Sequence, residues 1–385
     1  MKTSTDRILT THVGSLPRPP SLTELLVKQE AGEAVDPVVL HREMADAVKH
    51  VVARQIESGV DIINDGEQPR VGFQTYVPLR MKGFGGTSAR KPPTDMMAHP
   101  DMFAIMARRF PSSGKISNAP QAIAEVHYDD LSAAVEELDL FDAATESVDV
   151  TDRFMTAPSP GIIATTMLNA YYDSHEKYVF ALAREMKKEY ALIASRGLVL
   201  QIDAPDLAME RTMQFQDKTV SEFLDVARLH VAALNEAIAD IPRDQVRLHC
   251  CWGNWEGPHV HDVPLSEILP VLYGAKVGAL SLEFANPRHQ HELSAFKVHT
   301  FPEDRILIPG VLDSTTNYVE HPEVVANRIC AAVEAVGDRR RVIAGTDCGF
   351  GTFAGYEFIA PSIVWAKLRS CAEGAAIATQ RLKSA

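Results

Sequence analysis

The segment Arg247-Leu248-His249-Cys250-Cys251-Trp252-Gly253-Asn254-Trp255 decides how this chain is read. Val246 to Leu248 reads as the end of a buried strand, which then delivers a histidine and two cysteines in succession. Side chains alternate faces along an extended segment, so His249 and Cys251 point one way and Cys250 the other, into the core. An imidazole and a thiol on one face of a strand end form most of a zinc site.

The same arrangement recurs along the chain. Short apolar runs end in polar clusters: Ile8 to Val13 before Gly14-Ser15, Val60 to Asn64 before Asp65-Gly66-Glu67, and Met155 to Ala157 before Pro158-Ser159. Leu198 to Ile202 precedes Asp203, Ala279 to Leu282 precedes Glu283, Ile306 to Leu312 precedes Asp313, and Val342 to Thr346 precedes Asp347-Cys348. Helical periodicity fills the intervals. Asp36-Pro37 starts one helix, which Gly59 stops, and Asp173 with Glu176 marks the start of another. Strands alternating with helices, with polar residues gathered after each strand, predict an α/β fold of the (β/α)8 TIM-barrel type, with its chemistry at the C-terminal rim. With Ala122 to Tyr128 and the His249 strand, nine candidate strands compete for eight places, so at least one lies outside the barrel. An open doubly wound sheet is the weaker alternative, because no glycine-rich phosphate fingerprint follows the first strand. Residues 73–117, broken by Gly83, Gly85, Gly86, Pro92 and Pro93, read as an irregular insertion or lid. The whole of 1–385 reads as one catalytic barrel domain.

A net charge of -13 argues against nucleic acid as a partner, since a phosphate backbone favours a basic surface. No run of about 18 apolar residues predicts a membrane span. The first residues lack the apolar core of a signal peptide, and five cysteines in so long a chain fit a reducing cytoplasm.

Three strand ends carry metal-ligating side chains: His249 with Cys251, Glu283, and Cys348. One nitrogen, two sulfurs and one oxygen suit tetrahedral Zn²⁺. Taken singly, Cys348 is a buried small hydrophobe and Glu283 a rim salt bridge; their shared position after successive strands favours a site. His259, His261, His289 and His291 are competing ligands. Zinc held by two thiolates is a weak Lewis acid toward water and well suited to binding a further sulfur, which it keeps deprotonated and nucleophilic. The chemistry implied is alkyl transfer to a small-molecule thiol from a small alkyl donor.

Val13-Gly14-Ser15-Leu16-Pro17, Asp65-Gly66-Glu67, Gln201-Ile202-Asp203-Ala204-Pro205, His249-Cys250-Cys251, Leu282-Glu283, Pro309-Gly310-Val311-Leu312-Asp313 and Asp347-Cys348-Gly349 occur in one order along the chain. In these stretches the chain resembles the catalytic C-terminal half of the cobalamin-independent methionine synthase family. The resemblance implies a (β/α)8 barrel, zinc on His249, Cys251, Glu283 and Cys348, and methyl transfer with homocysteine as acceptor. It places Ser15, Glu67 and Asp203 at the amino-acid substrate. It also departs from the family pattern: Asp203-Ala204-Pro205 has one carboxylate fewer, and 32 positions separate Cys251 from Glu283. Within that interval Trp252 and Trp255 are candidates to stack a flat donor, and His261 and Asp262 are candidates for a catalytic proton relay.

Two other functions stay open at this point. An epoxyalkane:coenzyme M transferase-like addition of a thiol to a small electrophile would need cations for a sulfonate, for which Arg18, Arg70 and Arg288 are candidates. A metal-independent decarboxylase on a related barrel would make the cysteines incidental.

Overall fold

The computed structural model describes residues 1–109, 119–356 and 358–384. Its ten strands are β1 (Leu9–Thr10), β2 (Ile62–Ile63), β3 (Met81–Gly85), β4 (Gln121–Tyr128), β5 (Asp152–Pro158), β6 (Val199–Asp203), β7 (Val246–Cys250), β8 (Ala279–Leu282), β9 (Ile306–Leu312) and β10 (Ile343–Thr346). Eight of them form one parallel sheet in the order β1-β10-β9-β8-β7-β6-β5-β2. The Asp61 amide reaches the Thr10 carbonyl at 3.2 Å and Thr11 Oγ1 the Ile62 carbonyl at 3.0 Å, which brings β1 against β2 and rounds the sheet into a (β/α)8 barrel. The ninth candidate strand is the one outside: β4 pairs antiparallel with β3 in a two-stranded sheet of its own.

The barrel interior is filled from successive strands, as this architecture requires. Leu9, Ile62, Phe154, Val199, Ala279, Ile308 and Ile343 pack together, one residue from each of seven barrel strands. β7 contributes Arg247 instead, with its guanidinium 3.6 Å from the Phe154 ring centroid. A buried arginine needs its donors satisfied. Arg247 Nε donates to Gln201 Oε1 at 2.7 Å, Nη1 to Thr11 Oγ1 at 3.2 Å and Nη2 to the His12 carbonyl at 3.0 Å.

Outside the barrel, helices cover the sheet. Pro37–Glu57 starts where expected: Asp36 accepts the Val38 and Val39 amides at 2.9 and 3.4 Å. Its buried stripe runs Leu40, Met44, Ala47, Val48, Val51, Val52 and Gln55. In the helix His175–Ser195 the cap is Ser174, whose Oγ accepts the Lys177 amide at 3.2 Å; Asp173 pairs instead with the Lys177 ammonium.

The segment read as an irregular lid is more ordered than its glycines and prolines suggest. It holds a helical turn (Val77–Arg80), β3, and the helices Thr94–Ala98 and Pro100–Arg109; residues 110–117 of it lie outside the described residues. Gly83 permits the close pairing of β3 with β4, since a β-carbon there would fall 2.5 Å from the Glu125 carbonyl oxygen. No described helix is long and apolar enough to cross a membrane.

Candidate metal centre and substrate cavity

Strand register sets the floor of the site. Asp203 at the end of β6 lies beside His249 of β7, and Cys251 follows one residue beyond β7. Cys348 follows β10 by two residues. His249, Cys251 and Cys348 are all buried, and their ligand-capable atoms lie within 4.8 Å of one another. Neither ring nitrogen of His249 has a hydrogen-bond partner. Burial of a polar ring without a partner is costly, which marks these nitrogens as aimed at something. Cys250 is fully buried on the opposite face, as alternation predicts.

The thiols share charge unequally. The S–H of Cys348 and the nearby His249 hold the Cys251 thiol far below its ordinary range despite burial, while Cys348 itself is pushed up by the Cys251 thiolate and by burial. His249 is held above its ordinary value, the neighbouring Cys251 thiolate and Asp203 outweighing burial.

Glu283 follows β8 and is buried, but it stands outside this close group. Its Oε1 accepts the Trp252 amide at 3.3 Å and its Oε2 the Asn286 Nδ2 at 2.8 Å. Burial and the charges of Cys251 and Asp347 push its carboxyl far up. Asp347 anchors this corner by accepting the amides of Phe284, Ala285 and Asn286 at 2.9, 2.9 and 2.7 Å. Gly310 leaves room for it, since a β-carbon there would lie 2.0 Å from Asp347 Oδ1.

A cavity of about 460 Å³ opens above the floor. Ser15, Glu67, Asp203, His249, Cys251, Trp252, Trp255 and Cys348 all line it, so eight of the sequence candidates meet in one place. Glu67 sits at φ 53, a region that costs a non-glycine residue about 1–3 kcal/mol. Its Oε1 accepts from Thr156 Oγ1 at 2.8 Å, and Thr156 in turn accepts from Arg70 Nη1 at 2.9 Å. Its Oε2 is buried with no partner. Gln201 ties Asp203 to the barrel interior: its Nε2 donates to Asp203 Oδ1 at 2.7 Å, while its Oε1 receives Arg247. Burial, partly offset by His249 and reinforced by the Glu67 charge, pushes Asp203 up to about 7. Two buried carboxyls, both raised by burial and one also by the other's charge, form a natural seat for a cation.

The remaining candidates lie elsewhere. His261 is exposed and Asp262 is bonded to His259 and His289; neither lines the cavity, so the structure does not bring the expected proton relay to the site. None of the three arginines considered for a sulfonate lines it either. Arg18 donates to the Gly351 and Glu67 carbonyls, Arg70 is paired with Glu137, and Arg288 is exposed and donates to the His259 carbonyl.

Sequence reasoning missed the roof. Phe73, Met96, Phe103, Met106, Met209, Met213, Phe353 and Tyr356 cover the cavity and make it largely apolar. No motif announces them, because methionines and aromatics at scattered positions read as core. Arg90 and Lys91 also line the cavity, but Arg90 is paired with Glu210 at 2.5 Å and Lys91 with Asp217. Asn254 was likewise unsignalled. Its Nδ2 donates to the Gly349 carbonyl at 2.8 Å and its Oδ1 accepts from Ser314 Oγ at 2.9 Å, which ties the segment after β7 across to β9 and β10.

A parallel barrel with an imidazole and two thiols at its C-terminal rim, beside paired carboxyls and under an apolar roof, is an α/β-barrel enzyme with a sulfur-rich candidate metal centre. The chain belongs to the cobalamin-independent synthase family, whose catalytic-domain model matches residues 105–363, and it is a transferase. A methionine synthase of Saccharolobus islandicus is 27% identical over 384 residues, covering 97% of this chain and 96% of that one. One from Saccharolobus solfataricus is 26% identical over 381 residues, with 97% and 96% covered. The fold is also that of a B12-independent methionine synthase from Shewanella sp. W3-18-1, solved in complex with selenomethionine: TM-score 0.72, 19% identity, 98% of this chain and 100% of that one.

Proposed function

We propose that this enzyme transfers a methyl group to the thiol of homocysteine, with Zn²⁺ held by His249, Cys251 and Cys348 and with Glu283 as the fourth donor. The observation that carries this reading is the buried, unpartnered His249 ring converging on two sulfurs at the floor of the cavity. The naming of the relatives as methionine synthases supports the acceptor. A bound zinc ion supplies the Lewis acidity that keeps a substrate thiol as a thiolate near neutral pH.

The other residues do the binding. Glu67 and Asp203 receive the substrate ammonium, which relieves the repulsion between their carboxylates and satisfies the unpartnered Glu67 Oε2. Ser15 would hold the amino-acid end of the substrate, and Trp252 and Trp255, which also line the cavity, would stack on a flat donor. The apolar roof excludes water from the reacting atoms and accepts the donor. In the transfer the new carbon–sulfur bond forms as the donor–methyl bond breaks, and the donor departs with that electron pair.

The test is proton release on homocysteine binding in weakly buffered solution at pH 7. A free thiol is mostly protonated there, so metal capture releases about one proton per chain beyond those that Asp203 and Glu67 give up to the ammonium. That metal-dependent part of the release is expected to vanish in metal-free protein and in Cys348→Ser. Binding without release, or release undiminished in Cys348→Ser, contradicts the proposal, as does the absence of homocysteine binding.

A further inference from the structure

Away from the sulfur-rich centre, two histidines converge on a single aspartate oxygen. His259 Nδ1 lies 2.8 Å and His289 Nε2 3.1 Å from Asp262 Oδ2. The three ligand-capable atoms fall within 4.8 Å of one another. The far nitrogen of each ring is also engaged: His259 Nε2 donates to the Trp255 carbonyl at 3.1 Å, and His289 Nδ1 faces Glu292 Oε2 at 2.8 Å. Glu292 is itself fixed by the Leu265 amide, 2.8 Å from its other oxygen.

These contacts pose a charge problem. A carbonyl oxygen can only accept, so His259 Nε2 carries a hydrogen, and a neutral ring would turn its Nδ1 lone pair onto a carboxylate oxygen. His289 has a carboxylate at each nitrogen, and a neutral imidazole has one hydrogen for the two. Positive charge must therefore sit where the three groups meet, as an extra proton on each ring or as one divalent cation. The outer contacts favour the cation. A metal-bound imidazole characteristically gives its second N–H to a carboxylate or a backbone carbonyl, and both rings do so here. The side chains of His259, Asp262 and His289 are 12%, 4% and 5% exposed, so the ligand atoms face one another shielded from water, and a metal ion there takes the place of the ring protons that Asp262 and Glu292 otherwise hold. His259 is also held at φ 52, the left-handed region that L side chains rarely adopt.

We propose that His259, Asp262 and His289 form a second metal site, separate from the sulfur-rich centre, for a divalent first-row cation of the zinc type. Two imidazoles and one carboxylate, with no thiolate, suit such an ion. Binding exchanges the ring protons at His259 Nδ1 and His289 Nε2 for the metal. The site fastens the segment that carries Trp255 and His259 to the segment that carries His289 and Glu292. His289 stacks on Trp252 with centroids 4.1 Å apart, so the same ion braces one wall of the cavity. The inference stands whether or not the reading of the sulfur-rich centre holds.

Metal stoichiometry on the full-length chain tests it. The chain is loaded with Zn²⁺, excess is removed by gel filtration, and bound zinc is counted. The Cys251→Ser/Cys348→Ser variant is expected to keep one zinc per chain. Co²⁺ in its place is expected to show weak visible ligand-field bands without intense thiolate-to-cobalt charge transfer. Adding His289→Gln to that background is expected to abolish binding. The proposal is overturned if that double-serine variant binds no zinc, or if its zinc survives both His289→Gln and Asp262→Asn. Should the double-serine variant fail to fold, the unmodified protein and single His289→Gln decide. Two zinc ions against one are expected, and equal content in both overturns the site.

Discussion

Ser15 Oγ occupies the space that a side chain on Gly349 would need: a β-carbon at 349 would lie 2.0 Å from it. The same hydroxyl accepts the Gly351 amide at 3.3 Å, and the Ser15 carbonyl accepts the Phe350 amide at 2.8 Å. The turn after β1 and the turn after Cys348 are thus fitted to one another at the cavity wall. Gly349→Ala forces Ser15 to rotate away from the Gly351 amide. Overpacking of this kind costs about 1–3 kcal/mol. Adding Ser15→Ala removes the clashing oxygen, so the double variant is expected to regain most of that loss in urea denaturation. A double variant no more stable than Gly349→Ala alone shows that the clash is not the cause.

Removing one sulfur tests the floor. Loss of even an outer partner of a metal ligand costs roughly 10–100-fold in affinity, so Cys348→Ser is expected to weaken zinc binding at this centre by about 100-fold or more. Competition against a chromophoric chelator measures it, and an unchanged constant excludes Cys348 as a ligand.

The buried ion pair behind Glu67 is expected to be sensitive to loss of one partner. Arg70 binds Glu137 through two donors, at 2.8 and 3.0 Å, and Arg80 approaches the same carboxylate at 3.2 Å. Glu137→Gln leaves both guanidiniums under-compensated, which typically costs about 3–5 kcal/mol. Because Arg70 also orients Thr156 against Glu67, homocysteine affinity should fall together with stability. A variant with normal stability and weakened affinity would separate the two roles, whereas normal values of both would contradict them.

His12 gives the fold a pH dependence of its own. Burial, aided by Arg247 and partly opposed by the hydrogen bond to Gln55, lowers its pKa to about 4. The unfolded chain binds a proton near the ordinary value of about 6.5. The folded state is therefore favoured fully above that value, and the contribution is lost as pH falls through the window down to about 4. Over that interval the loss amounts to roughly 3 kcal/mol. Urea midpoints of the unmodified chain should drop between pH 7 and 4.5 more steeply than those of His12→Gln, and parallel curves would refute the assignment.

Much of this was legible in the sequence because a parallel barrel puts its chemistry in fixed positions. Alternation along β7 separated His249 and Cys251 from Cys250, and polar residues after apolar strands marked the rim. The apolar roof was not legible, because burial under a loop and burial in a core select the same residue types. The placement of His261 failed for another reason: it and Asp262 are neighbours in sequence, but the segment turns sharply at His259, and only Asp262 faces inward. Glu283 stands at the expected strand end, yet the Trp252 amide and Asn286 compete for its oxygens. Such contests between a ligand role and a local hydrogen bond are decided by distances that spacing does not carry.

The cavity floor is assembled from the ends of β1, β2, β6, β7 and β10, while much of its roof comes from the chain between β2 and β5. The part of the roof that holds Phe73, Met96, Phe103 and Met106 therefore has a genetic address apart from His249, Cys251 and Cys348. Mutation, insertion or recombination beyond Glu67 within that one excursion can reshape what enters from above and leave the sulfur ligands in place. A descendant of this chain could change methyl donors without rebuilding its sulfur centre.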